Sequence, residues 1–207
     1  RVLFRLDRSV PQKDGDWIYW RAFEIGAQYR KWYRKPVAGG EDQLILDEPA
    51  LAEAMARRLP EHRGELMLEL GPGTGIVTEK LLAAGLPEEQ LVAVEKSARL
   101  AEFLRQRFPK ARIIEGDALE LDHVLQGMRF GAVFSSLPLK AFSPEQVERI
   151  SAAIHDVLLP GANWIQYSYQ IINGHAPAKT FHAVDSQIVW QNLPPAKVSV
   201  YRRSART

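Results

Sequence analysis

The 207-residue chain has no cysteine. That absence removes disulfide frameworks, thiolate zinc sites, iron–sulfur clusters and cysteine nucleophiles, and it fits a reducing compartment. No run approaches the ~20 apolar residues that a spanning helix requires. Internal repeats and low-complexity segments are also lacking. Glycine and proline, at 14 and 13 residues, show neither the abundance nor the period of collagen-like or disordered chains. No His/carboxylate grouping has metal-site spacing, so no metal is expected. What is present is a globular balance, 46% apolar and 25% charged. A chain of this length buries roughly 70% of its unfolded surface without a covalent staple. The first residue is Arg1 rather than methionine, as after removal of a leader. These features describe a soluble globular chain.

Net charge is small but unevenly placed. The formal net charge is +2, yet residues 1–36 carry +5 and the stretch from Lys197 to Thr207 carries +4, leaving the middle at −7. Two basic ends on a near-neutral chain point to an anionic partner, nucleic acid or an anionic membrane surface.

From Leu66 onward, short apolar runs alternate with helical periods. Strands are expected at Leu66–Leu70, Leu91–Glu95, Arg112–Ile114, Gly131–Ser135 and Trp164–Tyr169. Helices are expected from the glycine-rich turn to about Ala84, over Ser97–Phe108 and over Pro144–Leu158. Ser186–Gln191 and Lys197–Arg202, flanking Asn192-Leu193-Pro194-Pro195, read as an antiparallel pair. Strand–helix alternation implies an α/β, doubly wound, mostly parallel sheet with helices on both faces. The first 60 residues differ, holding three of the five tryptophans and eight of the nineteen aromatics. Ile18, Ala22, Ile25, Tyr29, Trp32 and Tyr33 recur at helical spacing, with Arg21, Glu24, Gln28, Lys31 and Lys35 around them, which predicts an amphipathic helix closed by Pro36. A second helix is predicted from Pro49 to about Leu59. Residues 1–60 are therefore expected to form cover helices and residues 61–207 the main domain.

The most informative stretch is Leu68-Glu69-Leu70-Gly71-Pro72-Gly73-Thr74-Gly75. Glycines directly after a strand let the backbone approach a ligand and turn helix N–H groups toward it. Position 76 is Ile, so the dinucleotide fingerprint G-x-G-x-x-G is not met. Gly71-x-Gly73-x-Gly75 behind Glu69 resembles the first motif of class I S-adenosylmethionine-dependent methyltransferases. The resemblance implies a Rossmann-like, seven-stranded sheet with an antiparallel C-terminal hairpin. It also implies S-adenosylmethionine as cofactor and S-adenosylhomocysteine as product. Glu95, at the end of the second strand, is placed to accept the ribose hydroxyls. Asp117 and Ala118, after the third, stand where the adenine is held. Lys96 and Ser135 join the same candidate set.

The fourth strand runs into Ser135-Ser136-Leu137-Pro138-Leu139, where this class meets its methyl acceptor. Base-modifying enzymes resemble Asn/Asp-x-Pro-Tyr/Phe here, with an amide or acid for the exocyclic amine and an aromatic for the flipped base. Ser136 and Leu139 replace both. Gln43-Leu44-Ile45-Leu46-Asp47 and Ile113-Ile114-Glu115-Gly116-Asp117-Ala118-Leu119 nevertheless resemble the ribosomal RNA adenine dimethyltransferases, the alternative reading. The fuller resemblance is to bacterial phospholipid N-methyltransferases, which convert phosphatidylethanolamine to phosphatidylcholine. It covers about Trp32 to Arg203, through Lys35-Pro36, the glycine motif, Gly116-Asp117-Ala118, Ser135–Leu139, Gln166-Tyr167-Ser168-Tyr169, Leu193-Pro194-Pro195-Ala196 and Tyr201-Arg202-Arg203. One block departs from it: Leu46-Asp47-Glu48-Pro49 stands where the family usually has a Pro-Thr-Ser-like stretch.

This resemblance implies a phospholipid acceptor, an anionic membrane contact through the basic N-terminal helix, no nucleic acid partner, and a monomer. It places the protein in the cytoplasm, at the inner face of the cytoplasmic membrane. Methylated ammonium groups are stabilised by aromatic faces, which makes Tyr29, Tyr33, Tyr167 and Tyr169 candidates, with Tyr169, Tyr33 and Ser136 as the catalytic set. Ser136, Leu137 and Pro138 are expected to orient the amine. Lys31, Arg34, Lys35 and Arg202 are candidates for the lipid phosphate, and His175 or His182 for a base or phosphate ligand.

Overall fold

A computed structural model describes residues 9–23, 30–61, 63–168, 180–190 and 195–203. The N-terminal part is a four-stranded antiparallel meander: β1 (Gln12–Asp14), β2 (Trp17–Phe23), β3 (Arg30–Pro36) and β4 (Gln43–Asp47). This overturns the amphipathic helix expected over this segment. The apolar residues of this segment recur at helical spacing, but laid out as strands they meet partners across the sheet. Antiparallel pairing sets Trp20 opposite Tyr33 and Arg21 opposite Trp32. The first pair stacks with ring centroids 5.8 Å apart and planes at 10°. In the second, the guanidinium lies 4.9 Å from the indole centroid, and Arg34 sits 3.9 Å over Trp17. Aromatic and guanidinium groups at cross-strand positions reward a sheet, and that reward outweighs the helical period.

β4 passes directly into α1 (Glu48–Ala56). Asp47 sets this junction with both carboxylate oxygens. One caps the helix by accepting from the Ala50 N–H at 3.0 Å, and the other pairs with Lys31 on β3 at 3.0 Å. Pro49 lies in the first turn, where its missing N–H is harmless. α1 then buries Leu51, Ala52, Ala54, Met55 and Ala56 in the main core, so it is built into the larger sheet's packing.

That sheet holds β5 (Leu66–Leu70), β6 (Leu91–Glu95), β7 (Arg112–Glu115), β8 (Phe130–Ser135), β9 (Leu158–Ser168), β10 (Phe181–Val189) and β11 (Ala196–Arg203), in the spatial order β10-β11-β9-β8-β5-β6-β7. Neighbours from β7 to β9 run parallel. β11 is antiparallel to both β9 and β10, the expected C-terminal hairpin. The hairpin strands and β9 are longer than the sequence pattern suggested. α1, α2 (Ile76–Ala83) and α3 (Ala98–Arg107) cover one face, whereas α4 (Leu121–Val124) and α5 (Pro144–Val157) cover the other. This is the Rossmann-like architecture expected for class I methyltransferases. α5 starts on a capping box between Ser143 and Gln146 with Pro144 at its first position, a start legible in the sequence.

The second face is centred on Trp164, which is fully buried. Its ring meets Phe181 edge-on at 5.3 Å and Tyr201 at 5.9 Å. Its indole N–H has no hydrogen-bond partner among the described residues, so the ring contributes through shape and area alone. Trp164→Ala is expected to destabilise by about 3–5 kcal/mol. Trp164→Phe, which keeps a ring and removes the orphaned donor, should destabilise by no more than about 1–2 kcal/mol. Urea unfolding of both variants checks the difference.

Candidate active site

The site is built on the loop between β5 and α2. Gly71, Gly73 and Gly75 have φ of 67°, 60° and 84°, a left-handed region that side chains with a Cβ avoid. Close packing adds a second demand at two of them. A Cβ on Gly75 would stand 2.7 Å from Phe108 and 2.9 Å from Leu104, and one on Gly71 would stand 3.1 Å from Leu137. At Gly73 a Cβ would meet nothing within 4 Å, so the bare backbone there opens onto space that a ligand can occupy.

Two acids flank the loop in different states. Glu95, buried at the end of β6, accepts from the Gly73 N–H at 3.1 Å and from the Ser97 N–H at 2.9 Å. Each oxygen retains a lone pair for a further donor such as a hydroxyl. Glu69 is fully buried and accepts from the Thr78 hydroxyl at 2.6 Å, while its other oxygen has no partner among the described residues. Burial pushes its carboxyl up to about 7; the Thr78 hydrogen bonds oppose the shift and the Glu95 charge adds to it.

Asp117 follows β7. One of its oxygens accepts from the Leu119 N–H at 3.0 Å, and the other pairs with exposed Lys96 at 2.8 Å. The backbone hydrogen bond, then the lysine, holds its carboxyl below the usual range. Ala118 is buried beside it. Glu95 and Asp117 thus stand at the ends of neighbouring strands, where a ligand lying across them can donate to each.

After β8, Ser135 is buried and its hydroxyl accepts weakly from the Leu137 N–H at 3.4 Å. The Ser136 N–H donates to the Leu70 carbonyl at 2.9 Å. Gln166 on β9 was read only as part of a sequence block, yet it fastens this turn. Its amide donates to the Leu137 carbonyl at 3.0 Å and to the Tyr167 carbonyl at 2.7 Å. The Leu137 carbonyl, expected to help orient the amine, therefore already accepts from Gln166. Pro138 precedes a short 3-10 turn over Leu139–Ala141.

A cavity of about 330 Å³ lies between these parts, lined by Leu46, Glu48, Leu51 and Met55, by residues 71–74, and by Ser136 and Tyr167. It brings together Tyr167, Ser136 and the glycine loop, as expected. Burial, then the Glu48 charge, raises the Tyr167 hydroxyl. Glu48 was not singled out from the sequence; the departure from the family pattern at Leu46-Asp47-Glu48-Pro49 was its only signal.

Several expected residues lie elsewhere. Tyr33 stacks on Trp20 in the N-terminal sheet and does not line the cavity. Lys31 is engaged with Asp47 at 3.0 Å. Arg34 stacks on Trp17 and donates to Gln43 at 3.0 Å. Arg202 is at the wrong end of the sheet. β11 runs antiparallel, pairing Lys197 with Ser168 and Arg202 with Asn163, so Arg202 sits roughly 17 Å of strand below the edge that carries the loop. Its guanidinium donates to Asn163, and His182 lies opposite it at the same end. Tyr29, Tyr169 and His175 lie outside the described residues. Among the described residues, no group of three or more His, Asp or Glu can hold a metal ion.

The Glu69 environment has a measurable consequence. Its folded-state value of about 7 lies above the ordinary 4.5, so between these values the folded chain holds a proton that the unfolded chain releases. Stability conferred in that window falls as pH rises from about 4.5 to 7 and levels off above it. Between pH 5 and pH 8 the parent is expected to lose up to about 3 kcal/mol more stability than Glu69→Gln. Urea unfolding of both at the two pH values checks this.

Comparison with known proteins agrees with this geometry. A family model described as a methyltransferase domain matches residues 67–161. An ornithine lipid N-methyltransferase from Singulisphaera acidiphila is 26% identical over 160 residues, covering 74% of this chain and 83% of that protein. The ribosomal RNA small subunit methyltransferase A of Anaeromyxobacter dehalogenans is 34% identical over 130 residues, covering 54% of this chain. This chain spans only 45% of that relative's length. The 1,6-didemethyltoxoflavin-N1-methyltransferase of Burkholderia thailandensis, solved with S-adenosylhomocysteine, superposes with a TM-score of 0.60 at 21% identity, covering 76% of this chain and 80% of its own. With the left-handed glycine loop at the end of β5 and an acid at the end of the next strand, residues 67–161 match a methyltransferase domain set in the fold of class I methyltransferases.

Proposed function

We propose that the chain is a phospholipid N-methyltransferase, moving methyl groups from S-adenosylmethionine to the amine of phosphatidylethanolamine and its methylated derivatives, ending in phosphatidylcholine. The observation that carries this reading is the make-up of the cavity beside the glycine loop. It is closed by Ser136 and Tyr167, and Leu139 stands where a base-modifying enzyme would have its stacking aromatic. The relationship to an ornithine lipid N-methyltransferase supports a lipid amine as acceptor.

In this proposal the backbone of Gly71, Gly73 and Gly75 holds the donor's amino-acid end, Glu95 accepts its ribose hydroxyls, and Asp117 with Ala118 holds its adenine. Lys96 shields Asp117 until then. The bound donor supplies an electrophilic methyl carbon on a sulfonium. The protein's task is to bring the amine in line and keep water out. Ser136 flanks the amine from the β8 side, and the Tyr167 ring offers a face to its growing methyl ammonium character, worth roughly 0.5–2 kcal/mol. Lys35 remains the candidate for the lipid phosphate.

With the N-terminal helix replaced by strands, the membrane contact passes to the meander. Arg21, Arg34 and Lys35 among Trp17 and Trp32 combine cationic groups with amphipathic rings, which suits the headgroup level of an anionic inner leaflet. No helix among the described residues is long and apolar enough to cross a membrane, and this mode of contact needs none.

Labelled S-adenosylmethionine is expected to mark mono-, di- and trimethylated lipid on phosphatidylethanolamine vesicles, faster when anionic lipid is included. Label appearing only in a ribosomal RNA control would sink the lipid assignment in favour of adenine methylation, the reading that the relatives in that family keep open. Glu95→Ala should weaken S-adenosylhomocysteine binding roughly tenfold to a hundredfold, the range for hydrogen bonds to one charged group. Isothermal titration checks it, and unchanged affinity would move the ribose away from Glu95.

A further inference from the structure

We propose that Glu48 is the group that receives the acceptor's ammonium in the cavity and takes its proton before methyl transfer. The inference rests on the amine-acceptor part of the proposed function and adds a residue to it. Glu48 opens α1 and lines the cavity together with residues 71–74, Ser136 and Tyr167. Among the described residues it is the cavity's one carboxyl, and no described Lys, Arg or His lines the same space. An apolar-walled cavity with a single acid and no base is built for a cation rather than for a phosphate or a neutral ring.

The carboxyl is held from two sides. Asp47, immediately before it, is fixed by the Ala50 N–H and by Lys31, which sets the start of the helix. The Trp32 indole donates a hydrogen bond to the Glu48 side chain, and Arg21 covers that indole at 4.9 Å. Trp32 leaves carboxylate lone pairs for a second donor. Burial raises the Glu48 carboxyl from its ordinary value, with the Trp32 hydrogen bond opposing. The same desolvation disfavours an ammonium, so the two shifts narrow the gap that a proton must cross. Tyr167 feels the Glu48 charge directly, which places an aromatic hydroxyl and ring beside the same point.

The balance of the step is simple. The ammonium gives one proton to Glu48, and its freed lone pair forms the N–C bond. The C–S bond breaks with its electron pair going to sulfur, and Glu48 then returns the proton to water. Each of three successive methylations needs the same single proton removal.

The test uses decylamine and decanol as probes on the whole chain loaded with S-adenosylhomocysteine, followed by isothermal titration. The parent is expected to bind decylamine at least tenfold more tightly than decanol. Glu48→Gln should erase that preference with S-adenosylhomocysteine affinity within twofold of the parent, and Glu48→Asp should keep part of it. No decylamine binding by the parent, or an amine preference unchanged in Glu48→Gln, would overturn the proposal. A tenfold loss of S-adenosylhomocysteine affinity in Glu48→Gln would also overturn it, by assigning Glu48 to the donor's amino group. The lipid reading is scored separately on phosphatidylethanolamine vesicles. A Glu48-dependent amine preference without lipid labelling removes the lipid and keeps the amine site, and lipid labelling with a Glu48-independent preference does the reverse.

Discussion

Three left-handed residues at the top of β5 hold the site together, because each faces a different neighbour. Gly71 lets Leu137 come close from the β8 side, Gly73 gives its N–H to Glu95 on β6, and Gly75 makes room for Leu104 of α3 and Phe108 at its C-terminal end. A side chain at the first or last position would push one of these elements away. A side chain at the middle would fill the space the donor needs. The loop is therefore the joint that fixes β8, β6 and α3 relative to one another, and the cavity inherits its shape from that joint.

Burial of carboxyls around the same joint follows a consistent logic. Glu95 is buried with two backbone donors, and these replace the water it lost. Glu69, one strand over and on the α2 face, is fully buried with Thr78 as its donor residue, and burial outweighs those hydrogen bonds, so its carboxyl rises toward neutrality. Below about pH 7 a protonated Glu69 spares the site a second negative charge beside Glu95. Asp117, more exposed and tied to Lys96, stays charged. Donors and burial alone thereby push Glu69 and Asp117 in opposite directions.

Much of this was legible in the sequence wherever local pattern and tertiary packing agree. The parallel strands, the capped starts of α1 and α5, the glycine loop and the strand-end acids Glu95 and Asp117 all announce themselves in spacing. The N-terminal segment did not, because its apolar residues satisfy a helical period while the chain pairs as strands. The choice is made by Trp20 meeting Tyr33 and Arg21 meeting Trp32 across strands, contacts that a linear pattern does not contain. Arg202 was misplaced for a related reason. A residue type at the end of a strand says nothing of which sheet edge it reaches until the strand's direction is known, and β11 is the strand that reverses. Gln166 and Glu48 were missed as individuals, since their importance comes from what β8 and β4 bring beside them.

The acceptor question reduces to what the walls of the cavity reward. A flipped base needs a stacking partner, worth about 1–3 kcal/mol per base, and an amide or acid at the turn after β8 to hold its exocyclic amine. Here Ser136 and Leu139 occupy those places, and the Leu137 carbonyl is already bonded by Gln166. A primary amine asks for less: a negative group, an aromatic face and exclusion of water. Glu48, Tyr167 and the apolar side chains of Leu46, Leu51 and Met55 provide those at one point. The chain spans only 45% of the length of the ribosomal RNA relative from Anaeromyxobacter dehalogenans, so that likeness leaves the acceptor unassigned. In the proposed reading, acceptor choice lies with β4, the start of α1 and the turn fastened by Gln166, whose side chains suit a small cationic headgroup.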